Sequence, residues 1–330
     1  MSTSAPTLVT QEQALFTNRA PRSLWSDAGR RLRRNKMAML GLVYLALMVV
    51  VAVFAPVLAP HNPVTADVAK GGTFRKPAWV SDPNPLRDGS WEYPLGTTSI
   101  GRDVWSRLIY GSRISLVVGF IPMICTLLIG VTVGLISGYA GGIADNTLMR
   151  ITDVVYALPP LLFFIIMQVS FKETAFGKTL NGLLLLFVTL SIVSWTGVAR
   201  LVRGQVLSLK EKEFVEAARA IGTGTGRIVA SHILPNALGP IIVAGAFIVP
   251  GAIITEATLS YLGIGITPAT DPNAPFPASW GNMILEGSTG GAWQSQPWML
   301  IAPCIAVALI TLAFTFVGDG LRDALDPRDQ

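Results

Sequence analysis

Charge is what this chain has least of. Only 14% of its 330 residues are Asp, Glu, Lys or Arg, while 51% are hydrophobic. Soluble domains carry about 25% charge. Cysteine and histidine are scarce as well, with two of each. Cys125 and Cys304 both fall inside apolar runs, which leaves a disulfide framework unsupported and reads them as small packing residues. His61 and His232 alone cannot build a histidine metal cluster, so no metal site is expected. No H-E-x-x-H, no G-x-S-x-G elbow and no carboxylate pair with a nearby base occurs in the apolar runs. No catalytic residue is therefore expected. Gly177-Lys178-Thr179 has the end of a phosphate loop, but position 172 is Lys where that loop requires glycine, and no strand precedes it. The net charge of +5 lies at the flanks of apolar runs, which argues for membrane topology and against nucleic acid.

What is present is long apolar sequence. About 20 helical residues cross about 30 Å of hydrocarbon. Six runs meet or approach that length: 37–59, 114–139, 154–171, 180–202, 241–264 and 298–317. The chain is expected to be an all-α integral membrane protein with six transmembrane helices. The third run contains Pro159 and Pro160, which remove helix donors and force a kink or a late start. The first run is preceded by about 36 residues and is long enough to span, so it reads as an uncleaved first helix. The first 36 residues hold seven basic residues against two acids, and the loop 265–297 holds no basic residue at all. By the positive-inside rule the N-terminus, the 203–240 loop and the C-terminus are expected in the cytoplasm. The stretch 60–113 balances seven basic residues with five acids and falls outside by parity. Its part 60–95 reads as an irregular excursion, as does the four-proline stretch 268–280. Glu256 lies inside the fifth run. A translocation-path or proton-relay role is one reading; without a second buried acid or histidine for a relay, the favoured one is a carboxylate near the outer end, paired or hydrogen-bonded inside the bundle.

The 203–240 loop is longer than a helix connection needs. Its residues 210–221 are rich in Glu, Lys and Ala, which favours helix. Phe214, Ala218 and Ile221 recur at i, i+4 and i+7, with Ala217 at the border, and predict one shared face. Glu213, Glu216 and Arg219 form a charged side. Gly222 is expected to end the helix, and Gly224 and Gly226 to allow a tight turn. A second helix over 227–234 is expected to stop at Pro235. Small residues at Ala217 and Ala218 let another surface approach closely, which suits docking into a partner's groove.

Glu216-Ala217-Ala218, Gly222 and Ile233-Leu234-Pro235 resemble the EAA motif of permease subunits in binding-protein-dependent ABC importers. His232 stands at the motif's usual isoleucine position. Leu95-Gly96-Thr97 with Gly101-Arg102-Asp103, Ser106-Arg107, Gly111 and Arg113 resembles the signature before span two of the dipeptide, oligopeptide and nickel branch. So do Glu256 to Gly263, Ser279-Trp280-Gly281 and the tail Gly318 to Arg328, which includes Asp319, Arg322 and Asp323. Together they resemble the C-type permease over about residues 25–328. Tyr93 and Thr98 depart from that pattern, and the stretch 269–277 looks longer than usual; all three are expected on the outer face where a binding protein docks.

The resemblance implies a type I ABC importer permease fold in a bacterial inner membrane. It divides the chain into a cytoplasmic tail 1–36, a first helix 37–59, an extracytoplasmic loop 60–100, a five-helix core 101–320 with the coupling loop 203–238, and a cytoplasmic tail 321–330. It implies ATPase coupling through Phe214, Glu216, Ala217, Ala218, Ile221 and Gly222. It implies structural roles for Gly101, Arg102, Asp103, Arg107, Leu234, Pro235, Asp319, Arg322 and Asp323. Arg102 and Asp103 are expected to form a charge cluster at the head of span two. The implied partners are a B-type permease, two cytosolic ATPase subunits and an extracytoplasmic solute-binding protein, in contact with membrane lipid. No cofactor is implied in this chain; ATP and Mg belong to the ATPases. The implied cargo is di- or oligopeptide, with nickel chelates or oligosaccharides as alternatives. Substrate-binding residues stay unassigned. A stand-alone secondary transporter and a membrane scaffold are the rival readings from other classes.

Overall fold

The computed structural model describes residues 24–66 and 68–325. Parts of the two expected tails, 1–23 and 326–330, lie outside the described residues. The elements in order are α1 (Leu24–Arg34), α2 (Lys36–Val53), α3 (Val104–Ala140), α4 (Gly142–Tyr156), α5 (Pro160–Phe171), α6 (Leu183–Leu209), α7 (Glu213–Ala220), α8 (Leu234–Tyr261), α9 (Trp280–Ser288) and α10 (Trp298–Leu325), with short helical turns between some of them. No strand forms among the described residues; Ser90–Tyr93 and Thr97–Asp103 are isolated bridges. Five helices are long and apolar enough to cross a bilayer, and the bent pair α4–α5 brings the number to six.

The third expected span is therefore a broken one. Residues 142–153 carry Asp145, Asn146, Arg150 and Asp153, which reads as loop in one dimension. They instead form α4, and the chain turns by 78° into α5. Pro159 and Pro160 start α5, where a missing N–H costs nothing. The span expected over 114–139 is part of a 37-residue helix. At about 1.5 Å per residue, it extends well beyond the hydrocarbon. α10 likewise runs past the apolar stretch to Leu325, carrying Asp319, Arg322 and Asp323 exposed on its last turns.

Glycine positions set how closely the helices approach. Gly130, Gly134 and Gly138 recur every fourth residue along α3 and face Val198, Val202 and Val206 of α6. A Cβ on Gly134 would lie 2.6 Å from the Ala199 carbonyl oxygen and 2.7 Å from the Val202 Cβ. This is the small-xxx-small packing that membrane helices use when no hydrophobic effect drives them together. Elsewhere Gly41 of α2 meets the Ala313 carbonyl of α10, and Gly111 of α3 meets the Trp280 ring. The outer surface of α2 carries Leu40, Val43, Leu47 and Val50, all exposed.

The bundle has two distinct ends. At one, Leu32 of α1 lies against Gly320 of α10, and Leu325 lies against Gly239 of α8. At the other, the Asn62 amide donates to the Pro272 carbonyl at 2.9 Å and the Gln296 amide to the Phe74 carbonyl at 2.9 Å. The irregular stretch after α2 is tightly held. Thr97 Oγ1 donates to the Gly72 carbonyl at 3.1 Å and accepts from the Arg75 N–H at 3.0 Å. Tyr93 stacks on His61 with centroids 4.3 Å apart, and Arg75 covers it at 5.5 Å. Tyr93 and Thr98 are each 1% exposed. They are interior residues of this loop, which corrects their expected place on an outer docking face.

Asp103 and Arg102 do not form the expected mutual cluster. Asp103 caps α3, accepting from the N–H groups of Trp105 and Ser106 at 3.2 and 3.1 Å. Arg107 carries the ion pair instead, bound through two nitrogens to Glu286 of α9 at 2.5 and 2.8 Å. Burial and the neighbouring Arg107 draw the Arg102 guanidinium below its ordinary range, with Glu286 acting the other way. Losing a capping side chain costs about 1 kcal/mol, whereas stranding the Arg107 charge, whose side chain is 3% exposed, costs about 3 kcal/mol or more. Glu286→Ala is therefore expected to lower the melting temperature of the solubilised chain more than Asp103→Ala does. Equal melting temperatures for the two variants would remove the ion pair from this account.

Candidate functional site: an exposed helix on a rigid seat

α7 begins at Glu213 directly after Lys212, and its first turn holds Glu213 and Glu216, which favour the positive end of the helix dipole. Its end is a Schellman turn. The Thr223 N–H reaches the Ala218 carbonyl and the Gly222 N–H the Arg219 carbonyl, both at 3.0 Å. Gly222 has φ +79 there, a left-handed conformation that only glycine adopts cheaply, and nothing lies within 4 Å of where its Cβ would be. Gly222 thus ends the helix as the sequence predicts.

The face assignment differs from the expectation. Val215 is fully buried and Ala218 is 6% exposed, whereas Phe214 is 41% and Ile221 83% exposed. Ala218 therefore faces its own bundle, together with Val215. Phe214, Ala217 and Ile221 form the outward ridge at i, i+3 and i+7, with Glu213 and Glu216 exposed beside it. Both readings fit helical spacing over eight residues, and Val215 was the residue that decided between them. Val215 and Ala218 pack into one cluster with Val198, Val202, Val206, Ile228, Ile233 and Ala237. Those three valines are the ones that sit in the α3 glycine stripe. α7 is thus packed against the same valines that meet α3.

The second helix of the loop does not stop at Pro235. A turn at Thr225–Ile228 passes through a π turn, Val229–Ile233, into α8, so 225–261 runs as one helical stretch. Pro235 sits in the first turn of α8. The π turn lets the Leu234 N–H reach back to the Val229 carbonyl and carries the chain across the proline. Leu234 and Pro235 therefore join the loop rigidly to the fifth span.

Ion pairs that no motif announced hold α4 at this end. Arg203 grips Asp145 with two nitrogens, each at 2.6 Å, and Ser137 also donates to Asp145. Arg200 binds Asp153 at 2.7 Å and lies 4.0 Å over the Tyr156 ring. Beside the elbow opens a cleft of about 630 Å³, lined by Tyr156, Pro160, Ser194, Phe247, Gly251 and Thr255 among others. Among the described residues no Asp, Glu, Lys or Arg lines it. Thr255 donates to the Gly251 carbonyl at 2.8 Å, so that hydroxyl is already turned back on its own helix. The cleft offers shape and apolar surface, with little to hold a polar ligand tightly.

Glu256, 1% exposed, accepts from Ser260 and Ser279 at 2.8 and 2.5 Å. It joins α8 to the start of α9 and does not face the cleft. Gly177-Lys178-Thr179 lies in a closed turn, with Lys178 paired to Glu173 at 3.0 Å. Among the described residues no group of His, Cys, Asp and Glu could hold a metal ion. Gly101 adopts φ +78 just before the Asp103 cap, and Asp319, Arg322 and Asp323 make no ion pair among the described residues.

Several apolar spans and an exposed helix seated on them mark an integral membrane protein, and its relatives show it to be a permease subunit. Residues 130–328 match the family described as binding-protein-dependent transport system inner membrane component, and residues 23–77 match the N-terminal TM domain of oligopeptide transport permease C. The chain belongs to that family, on its C-type permease branch. It is 40% identical over 306 residues to the oligopeptide transport system permease protein OppC of Bacillus subtilis, covering 93% of this chain and 90% of the relative. It is 40% identical over 309 residues to the dipeptide transport system permease protein DppC of the same organism, covering 93% and 86%. To OppC of Escherichia coli K12 it is 38% identical over 309 residues, covering 94% and 93%. Chains of the MetNI methionine ABC transporter in inward-facing conformations share the fold, with a TM-score of 0.51 at 19% identity over 67% of this chain and 96% of that one. The chain is thus a non-catalytic inner-membrane subunit of an ABC importer, whose ATPase is a separate partner.

Proposed function

We propose that this chain is the C-type half of an ATP-driven peptide importer. It pairs with a B-type permease, takes cargo from an extracytoplasmic binding protein and is driven by two cytosolic ATPases that bind ATP and Mg. The observation that carries the coupling role is the division of α7 into two faces. Phe214, Ala217 and Ile221 are exposed for a partner, while Val215 and Ala218 are locked into the α6–α8 core. A helix held this way transmits force as a rigid body. The reading takes Glu216 and Gly222 as the charge and the turn that orient the ridge. It places α7, α1 and the end of α10 in the cytoplasm, supported by seven basic residues before residue 37 and none between 265 and 297. Arg102, Asp103 and Arg107 hold the opposite end.

Peptide cargo is supported by the names of the relatives, which are oligopeptide and dipeptide transport permeases. Proteoliposomes holding this chain with its partner permease, ATPases and binding protein are expected to accumulate a labelled tetrapeptide only with ATP. Accumulation without ATP would favour a secondary transporter. Uptake of a nickel chelate that peptides fail to compete would reassign the cargo.

A further inference from the structure

α1 has two unlike faces. Ala28 is buried, and Leu32 lies against Gly320 of α10. At 3.6 residues per turn, Arg30, Arg33 and Arg34 fall on the opposite side. All three are exposed, as is Lys36 at the start of α2. Among the described residues none of these four makes an ion pair or a side-chain hydrogen bond. The acids of the adjoining helices, Asp27 of α1 and Asp319 and Asp323 of α10, form no ion pair with them among the described residues. Four uncompensated cations on a docked helix are an electrostatic liability unless something negative faces them.

Their depth says what that is. The apolar stretch of α2 begins at Met37, and Leu40, Val43 and Leu47 behind it are exposed, an apolar face that a bilayer would cover. A helix rises about 1.5 Å per residue, so Arg33 to Lys36 lie within about one turn of the hydrocarbon edge. That is the layer of the phosphate groups. α1 also leaves α2 at Asn35, whose extended backbone breaks the axis and whose side chain recaps α2. The cationic face is therefore turned aside rather than carried straight on into water. An amphipathic helix with arginines on its free face at that depth binds acidic headgroups.

We propose that α1 is a binding site for acidic phospholipid, with Arg30, Arg33, Arg34 and Lys36 holding the phosphates while Ala28 and Leu32 keep the helix on α10. Bound lipid then braces the junction of the first span with α10. The site needs only a charged leaflet at that depth, so it stands independently of the coupling role of α7.

The test uses the full chain in nanodiscs of phosphatidylcholine alone or in an equal mixture with phosphatidylglycerol, followed by amide hydrogen exchange over residues 24–36. Exchange there is expected to slow severalfold in the acidic discs, and the protection to disappear at high salt. R30Q/R33Q/R34Q should lose that protection, at roughly fivefold weaker binding per cation removed, while R30K/R33K/R34K keeps it. Because the glutamine variant could insert wrongly, the wild-type comparison stands by itself. Exchange that ignores lipid charge in the wild-type chain overturns the proposal. So does protection that appears in neutral discs only when the ATPase subunits are added, which would assign the face to protein.

Discussion

Gly222→Val is expected to leave an importer that assembles and hydrolyses ATP yet moves little cargo. A β-branched residue at φ +79 costs about 1–2 kcal/mol, a factor of roughly 5 to 30 in the population of the intact turn. Among the described residues nothing lies within 4 Å of the new Cβ, so the space around Gly222 is open. The loss is therefore one of orientation: the Schellman turn opens and the ridge of Phe214, Ala217 and Ile221 tilts off its axis. Glu216→Lys attacks the same step through charge. It places a cation in the first turn of α7, against the helix dipole, and reverses the charge beside the ridge. Both variants should keep normal amounts of complex in the membrane. Uptake of labelled peptide per ATP hydrolysed is the measurement, and unchanged uptake in both variants defeats the coupling role.

The second large effect belongs to the α3 glycine stripe. Gly134→Leu puts a side chain where a Cβ alone would sit 2.6 Å from the Ala199 carbonyl. Backbone cannot swing aside as a side chain does, so α3 and α6 must separate. Overpacking of this kind costs about 1–3 kcal/mol. It also lifts Val202 out of the cluster that seats Val215 and Ala218. The variant is expected to melt well below the wild-type chain in detergent and to transport poorly even where it survives. Gly204→Ala, also on α6, meets nothing within 4 Å and should be neutral or stabilising by up to about 1 kcal/mol. If Gly134→Leu melts with the wild type, the close contact of the two helices is wrong.

Much of this architecture could be read in one dimension, because a bilayer imposes a length and a composition on each span. The exposed helix was legible too, through its alanines, its charges and the glycine that ends it. What escaped the sequence has identifiable causes. α4 was hidden because Asp145, Arg150 and Asp153 look like loop residues until Arg203 and Arg200 are seen to pair with two of them. Pro235 reads as a stop in sequence because a proline in the first turn of a helix and one after its last look alike without the π turn that precedes it. Sequence spacing alone puts Ala218 outward, because a helix of eight residues allows two apolar faces and only packing against Ile228 and Ile233 chooses. The stripe of Gly130, Gly134 and Gly138 carried a readable signal in its four-residue spacing, and so did the opposed valines.

The central claim is that α7 presents one face to the ATPase and the other to its own bundle. Site-directed cross-linking in the assembled importer tests it most directly, with a single cysteine at Ala217 or at Val215 and both native cysteines replaced. Ala217→Cys is expected to cross-link to the ATPase and to respond to ATP. Val215→Cys is expected to stay unlabelled. Cross-linking from position 215 with none from 217, or from neither, would contradict the account.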